Sequence, residues 1–160
     1  MAGVNKAKGD YIGWCHADLQ NNLEDVYDSF KKNFNELEKT NSILKGKRIS
    51  RNLIDKLFTL GMSICVTMIF GHKLRDINAQ PKIFPRNFLT QIKEPPNDFS
   101  LDLYILLVAK IKNYKIIEHP LKIYERVAGE AKGGGSLLLK IKLTLRTLKY
   151  IFDLKKNKKF

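Results

Sequence analysis

The sequence predicts an α/β protein, a layered sheet flanked by helices, and three observations carry that expectation. Short strand-like stretches alternate with longer ones whose apolar residues recur at helical spacing. The first strand-like stretch, Tyr11 to Cys15, delivers His16, Asp18 and Gln20 at alternate positions just beyond its end. In an extended segment all three point the same way, and in open α/β sheets ligands sit outside the carboxyl ends of strands. The length of 160 residues, 44% of them hydrophobic, is enough for one respectable core.

In chain order, a Gly9-Asp10 turn signal precedes the Tyr11 to Cys15 strand. Asn21 or Asn22 then caps a helix whose apolar positions are Leu23, Val26, Tyr27, Phe30, Phe34 and Leu37. Ser42 to Leu44 reads as a short strand, followed by the basic turn Lys45-Gly-Lys-Arg48. From about Asn52 a second helix runs into the fully apolar Ile64 to Phe70, and a helix apolar on most sides is expected to be deeply buried. Its uncharged run, Leu60 to Gly71, is too short to span a bilayer as a helix. Residues 75–86, with two prolines, read as irregular. Asn97-Asp98 opens a third helix through Leu101, Tyr104, Leu107 and Val108; Asp102 in its first turn can cap or orient a loop or accept a proton, and local capping by Asp98 is favoured over catalysis for that pair. Tyr114 to Glu118 and Leu121 to Tyr124 read as separate strands divided at His119-Pro120. Gly133-Gly134-Gly135 breaks the chain before a final basic helix.

The net charge of +13 favours phosphate-bearing partners. From Leu137 to Phe160 eight Lys or Arg face one Asp, so this tail contributes +7. Leu138, Ile141, Leu145, Leu148 and Phe152 draw one apolar stripe beside Lys142, Arg146 and Lys149, the pattern of a helix on an anionic membrane and equally of one packed on its own core. Nucleic acid is disfavoured, because the basic residues are not interleaved with aromatics in a recognised binding pattern. Cys15 and Cys65 lie in apolar runs and suggest no disulfide framework. No basic-then-apolar leader opens the sequence, which points away from secretion.

His16-Ala-Asp18-Leu-Gln20 resembles the Asp-x-Asp region of family-2 glycosyltransferases, in the Asp-Ala-Asp-Leu-Gln form of dolichyl-phosphate mannose synthase relatives, with His16 at the first Asp. Four more segments agree in order and approximate spacing. Lys45-Gly-Lys-Arg48 is similar to the family's Gly-Ser-Arg turn, and Arg75-Asp-Ile-Asn-Ala-Gln-Pro-Lys82 to its Arg-Asp-x-Thr-Ser-Gly-Phe-Arg segment. Asn97-Asp-Phe-Ser-Leu-Asp102 resembles its Phe-Ser-Phe-Asp helix start, and Arg126-Val-Ala-Gly-Glu-Ala-Lys132 its Arg-x-x-Gly-Glu-Ser-Lys loop. The resemblance covers about residues 3–135.

That resemblance implies a partial GT-A fold entered midway through its first half, without the amino-terminal nucleotide-binding strands. Residues 1–135 would be the carboxyl-terminal portion of a catalytic domain and 136–160 a basic amphipathic tail helix. The implied activity is transfer of a hexose from a nucleotide sugar to a polyprenyl phosphate or other membrane-associated acceptor. Asp18 would be catalytic and, with Gln20 and His16, would hold a divalent metal, Mg²⁺ or Mn²⁺. Imidazole is the poorer partner for Mg²⁺. Arg48, Arg75, Arg126 and Lys132 would bind substrate. On residue spacing alone Asp18 reads equally as a helix-turn residue and each Arg as a solvated surface side chain. The expected location is cytoplasmic, peripheral on the inner face of a membrane with an anionic surface, and a partner could supply the missing strands. The alternative is a catalytically inactive fragment that keeps only anionic-membrane or phosphate binding.

Overall fold

The computed structural model describes residues 2–17, 20–49, 53–98, 100–124 and 137–157. It is an α/β protein with a mixed four-stranded sheet between helices. The elements are α1 (Ala2–Lys6), β1 (Tyr11–Trp14), α2 (Leu23–Lys39), β2 (Ser42–Arg48), α3 (Leu53–Phe70), β3 (Lys82–Pro85), a 3₁₀ turn (Arg86–Gln91), α4 (Leu101–Ile111), β4 (Lys115–Leu121) and α5 (Leu137–Asn157). The strands lie in the order β1-β3-β2-β4. β3 is antiparallel to β1 and β2, whereas β2 and β4 are parallel and pair from Ser42↔Lys115 to Arg48↔Leu121.

Strand periodicity divides the core. Ile12, Ile43 and Phe84 face α4, where Leu103, Ile105, Leu106 and Leu107 are fully buried. The adjacent Leu44 and Ile83, with Ile117, face Leu37, Val26 and Phe30 of α2. The rings of Tyr11, Phe30 and Phe34 pack at 5.2–5.8 Å between centroids, which fixes α2 across β1. Asn22 caps α2 as expected, its Oδ1 accepting the Glu24 backbone N–H at 3.0 Å.

Four expectations are corrected. Residues 45–48, expected as a basic turn, belong to β2, which runs unbroken from Ser42 to Arg48. Residues 75–86 contain a strand, Lys82–Pro85, which Pro81 just before it and Pro85 at its end conceal in the sequence. His119-Pro120 does not divide the chain into separate strands, because β4 runs unbroken from Lys115 to Leu121. β4 is an outer strand with one neighbour, so a residue without an N–H costs no ladder bond where its nitrogen faces the open side. Finally, α3 is not a core helix. Only Ser63 and Val66 are buried, while Leu53 is 82% and Met68 72% exposed. It is the one described helix long and apolar enough to cross a membrane, by length and composition.

α5 joins the main core through Ile151, fully buried, and Leu154, with Leu148 and Tyr150 partly buried beside them. Of the stripe seen in the sequence, Leu138, Ile141, Leu145 and Phe152 are exposed. α5 packs on α3, and the Lys155 Nζ donates to the Ile69 carbonyl at 2.8 Å.

Candidate functional site

β1, β2 and β4 run in one direction, so the carboxyl ends of three strands share one edge of the sheet. Among the described residues, His16 and Gln20 follow β1, Arg48 ends β2, and Arg75 lies in the loop entering β3 at this edge. This is the edge at which open α/β sheets bind ligands.

Arg48 ends β2. Its backbone N–H donates to Asp76 Oδ2 at 2.9 Å and its Nε to Oδ1 at 2.8 Å, and its Nη2 also reaches Oδ1. Burial pushes the Asp76 carboxyl up, but the hydrogen bonds and charge of Arg48, with Lys45 beyond, outweigh it and hold Asp76 below the usual carboxylate range. Asp76 adopts φ +42°, a left-handed conformation that Asp tolerates better than most residues.

Two buried lysines that sequence reasoning missed hold this loop to the sheet. Lys45 and Lys82 are cross-strand partners in β2 and β3. The Lys45 Nζ donates to the carbonyls of Arg75 (2.9 Å) and Asp76 (3.4 Å) and pairs with Glu118 at 3.0 Å. The Lys82 Nζ donates to Ile77 and Ala79 carbonyls, both at 2.9 Å, and pairs with buried Asp102 at 3.0 Å. Burial pushes Lys82 down to about 8 against the pull of Asp102. Asp102 also accepts from Gln80 Nε2 at 2.8 and 2.9 Å and from Trp14 Nε1 at 3.3 Å. It is thus an orienting group for the Arg75–Lys82 loop, with its oxygens already occupied. The available signal was a lysine set inside apolar strand sequence, in Ile43-Leu44-Lys45 and Lys82-Ile83-Phe84.

Gly46 permits the loop to lie this close. Its N–H donates to the Pro81 carbonyl at 2.9 Å, and a Cβ there would stand 1.9 Å from the Gln80 carbonyl oxygen.

Between the end of β2, the Lys73–Asp76 segment and α3 lies a cleft of about 590 Å³. One side is basic, with Lys47, Arg48, Lys73 and Arg75, and Lys56 adds an ammonium group from α3. The other is the face of α3 that carries Leu60, Ile64 and Met68, with Thr59, Ser63 and Thr67 between. The three hydroxyls are turned back onto the carbonyls of Asp55, Thr59 and Ser63 at 2.7–3.0 Å, so α3 presents mainly hydrocarbon. A smaller cavity of about 260 Å³ shares Lys73, Leu74 and Arg75 and reaches Lys45 and Glu118.

The structure therefore brings Arg48 and Arg75 together in one cleft, with Arg75 exposed and Arg48 half-buried. His16 is exposed beyond β1, and Gln20 is half-buried with its carbonyl accepting the Tyr124 N–H at 3.0 Å. That bond joins the segment after β1 to the one after β4. Asp18, Arg126 and Lys132 lie outside the described residues. Among the described residues no group of three His, Cys, Asp or Glu could hold a metal ion. An imidazole and one amide oxygen are too few donors for Mg²⁺, so a cation beside His16 and Gln20 depends on Asp18 and on substrate oxygens. No protein-family model matches the chain.

Proposed function

We propose that this chain is the acceptor-side portion of a GT-A glycosyltransferase that moves a hexose from a nucleotide sugar to a polyprenyl phosphate or similar membrane acceptor. The cleft between β2 and α3 carries the reading. It sets exposed guanidinium and ammonium groups against a hydrocarbon wall, which matches a molecule with a phosphate head and a polyprenyl tail. The five segments that resemble the family support it, and Arg48 and Arg75, chosen from them, line this one cleft.

In this reading Arg75 and the neighbouring lysines hold the acceptor phosphate, with Arg48 already oriented by Asp76. A phosphate monoester is largely ionised near neutral pH, so its oxygen attacks the anomeric carbon without a strong base. The bond from that carbon to the nucleoside diphosphate breaks, and positioning supplies most of the catalysis. Asp102, engaged by Lys82, Gln80 and Trp14, is then not needed as a base.

The test is binding of a short-chain polyprenyl phosphate in detergent micelles, followed by transfer assays with a panel of nucleotide sugars. Arg75→Ala weakens binding roughly tenfold or more, the worth of one charge-assisted contact, and Lys93→Ala, exposed and outside the cleft, leaves it unchanged. Equal binding by wild type and Arg75→Ala removes the cleft from the account. Arg75-dependent binding with no transfer to any acceptor assigns the chain to the second reading, a phosphate-lipid binder without catalysis.

A further inference from the structure

α3 exposes more large apolar side chains than any other described helix. Leu53, Ile54, Leu57, Leu60, Ile64 and Met68 are 48–82% exposed. At 100° per residue they fall within about a 120° arc, and Gly61 is the only other residue in it. Such a continuous apolar stripe on a protein surface marks a contact. α5, packed beside α3, adds Leu138, Ile141, Leu145 and Phe152. Lys56 and Lys73 flank the α3 stripe and Lys142 and Lys149 the α5 stripe, all exposed. α5 holds six basic residues and one acid, Asp153.

We propose that α3 lies flat in the headgroup region of an anionic membrane, with α5 alongside, so that the cleft opens sideways into the lipid layer. Charge selects this occupant over a second copy of the chain. Two copies meeting through this face would bring the same lysine rims together, and each carries +13, whereas an anionic bilayer complements rim and stripe together. The packing selects lying over spanning. Val66, with Met62, Ile69 and Phe70, faces the core, so α3 cannot be surrounded by lipid without leaving the domain.

Leu60, Ile64 and Met68 belong to both the cleft wall and the exposed stripe. A lipid with its tail among other acyl chains can therefore reach Arg75 without leaving the bilayer. Only this sideways approach rests on the acceptor reading above; docking stands without it.

The experiment is vesicle flotation with phosphatidylcholine plus phosphatidylglycerol, against phosphatidylcholine alone, neither containing polyprenyl phosphate. Leu57→Glu and Ile64→Glu, each at an exposed position, lower the bound fraction at least tenfold while circular dichroism stays that of wild type. Lys142→Ala with Lys149→Ala weakens binding to the anionic vesicles alone, by roughly fivefold for each lysine. Leu57→Trp supplies a second reading that needs no loss of binding: brominated lipids quench its emission beyond that of Trp14 in the wild type. Wild-type flotation by both Glu variants, or an unquenched Trp at position 57, overturns the proposal. So does a lipid-free dimer in sedimentation that Leu57→Glu dissociates, which would assign the face to a second copy. Docking that persists in Arg75→Ala while polyprenyl phosphate binding is absent from every form leaves α3 on the membrane and removes only the acceptor.

Discussion

Replacing Asp102 by Asn tests the buried charge network that holds the Arg75–Lys82 loop. The substitution removes the carboxylate paired with Lys82 and leaves its Nζ with the Ile77 and Ala79 carbonyls. Even with Asp102 in place, Lys82 sits at about 8 because of burial. Against an unfolded lysine near 10.4, that is roughly 3 kcal/mol of resistance to the charged form at neutral pH. Removing one partner of a buried pair costs about 3–5 kcal/mol, a large share of the 5–15 kcal/mol that holds a typical domain together. The pH dependence separates this from simple loss of packing. Between the folded and unfolded values of Lys82 the unfolded chain binds more protons, so stability from this group rises with pH. In Asp102→Asn the folded value falls further, so the deficit relative to wild type is largest near pH 7 and shrinks toward pH 10, where Lys82 is neutral. Urea unfolding at both pH values measures it, read by Trp14, whose Nε1 donates to the same carboxylate. A deficit below about 1 kcal/mol at pH 7 would refute the reasoning, as would one unchanged at pH 10. Lys82→Met with Asp102→Leu removes both charges but leaves Gln80 and the Ile77 and Ala79 carbonyls without these partners, so it recovers only part of the loss.

Two further outcomes follow from the same edge of the sheet. Gly46→Ala sets a Cβ 1.9 Å from the Gln80 carbonyl oxygen, a backbone atom that cannot swing aside, so the urea midpoint falls without a large change in slope; an unchanged midpoint shows the strand and loop to be separable. The Asp76–Arg48 pair contributes above the unfolded carboxylate value near 4 and is lost as pH falls through the lower folded value. Asp76→Asn is therefore less stable than wild type by about 1–2 kcal/mol at pH 7, the two converge in acid, and a difference that persists there assigns Asp76 to packing.

The sequence disclosed what depends on local pattern. The strand beginning at Ser42 follows from its local apolar run, and the capping Asn22 is placed by its chemistry. It also marked Arg48 and Arg75, which the fold brings to one cleft from positions far apart in the chain. It could not disclose β3, because prolines at 81 and 85 are the ordinary signature of irregular chain. Nor could it show that Lys45 and Lys82 are buried. A lysine enters a core only where carbonyls and a carboxylate wait for it, and those arrive from the 75–79 loop, Asp102 and Glu118 through tertiary packing.

α3 departs from its expected burial for a different reason. An apolar helix is buried if water is the only solvent considered, because exposed hydrocarbon then has no favourable place. Here the fold commits only one side of α3 to the core and keeps the other uncovered beside a basic cleft. Sequence hydrophobicity measures how strongly a helix avoids water but not what replaces the water. The same distinction applies to α5. Removing that helix would take Ile151 and Leu154 out of the core and expose α3 further, so loss of vesicle binding after such a deletion would show only that the domain had come apart. Single charges placed at Leu57 or Ile64 act on the outward face alone, and they can tell a membrane-facing helix from an unfinished core.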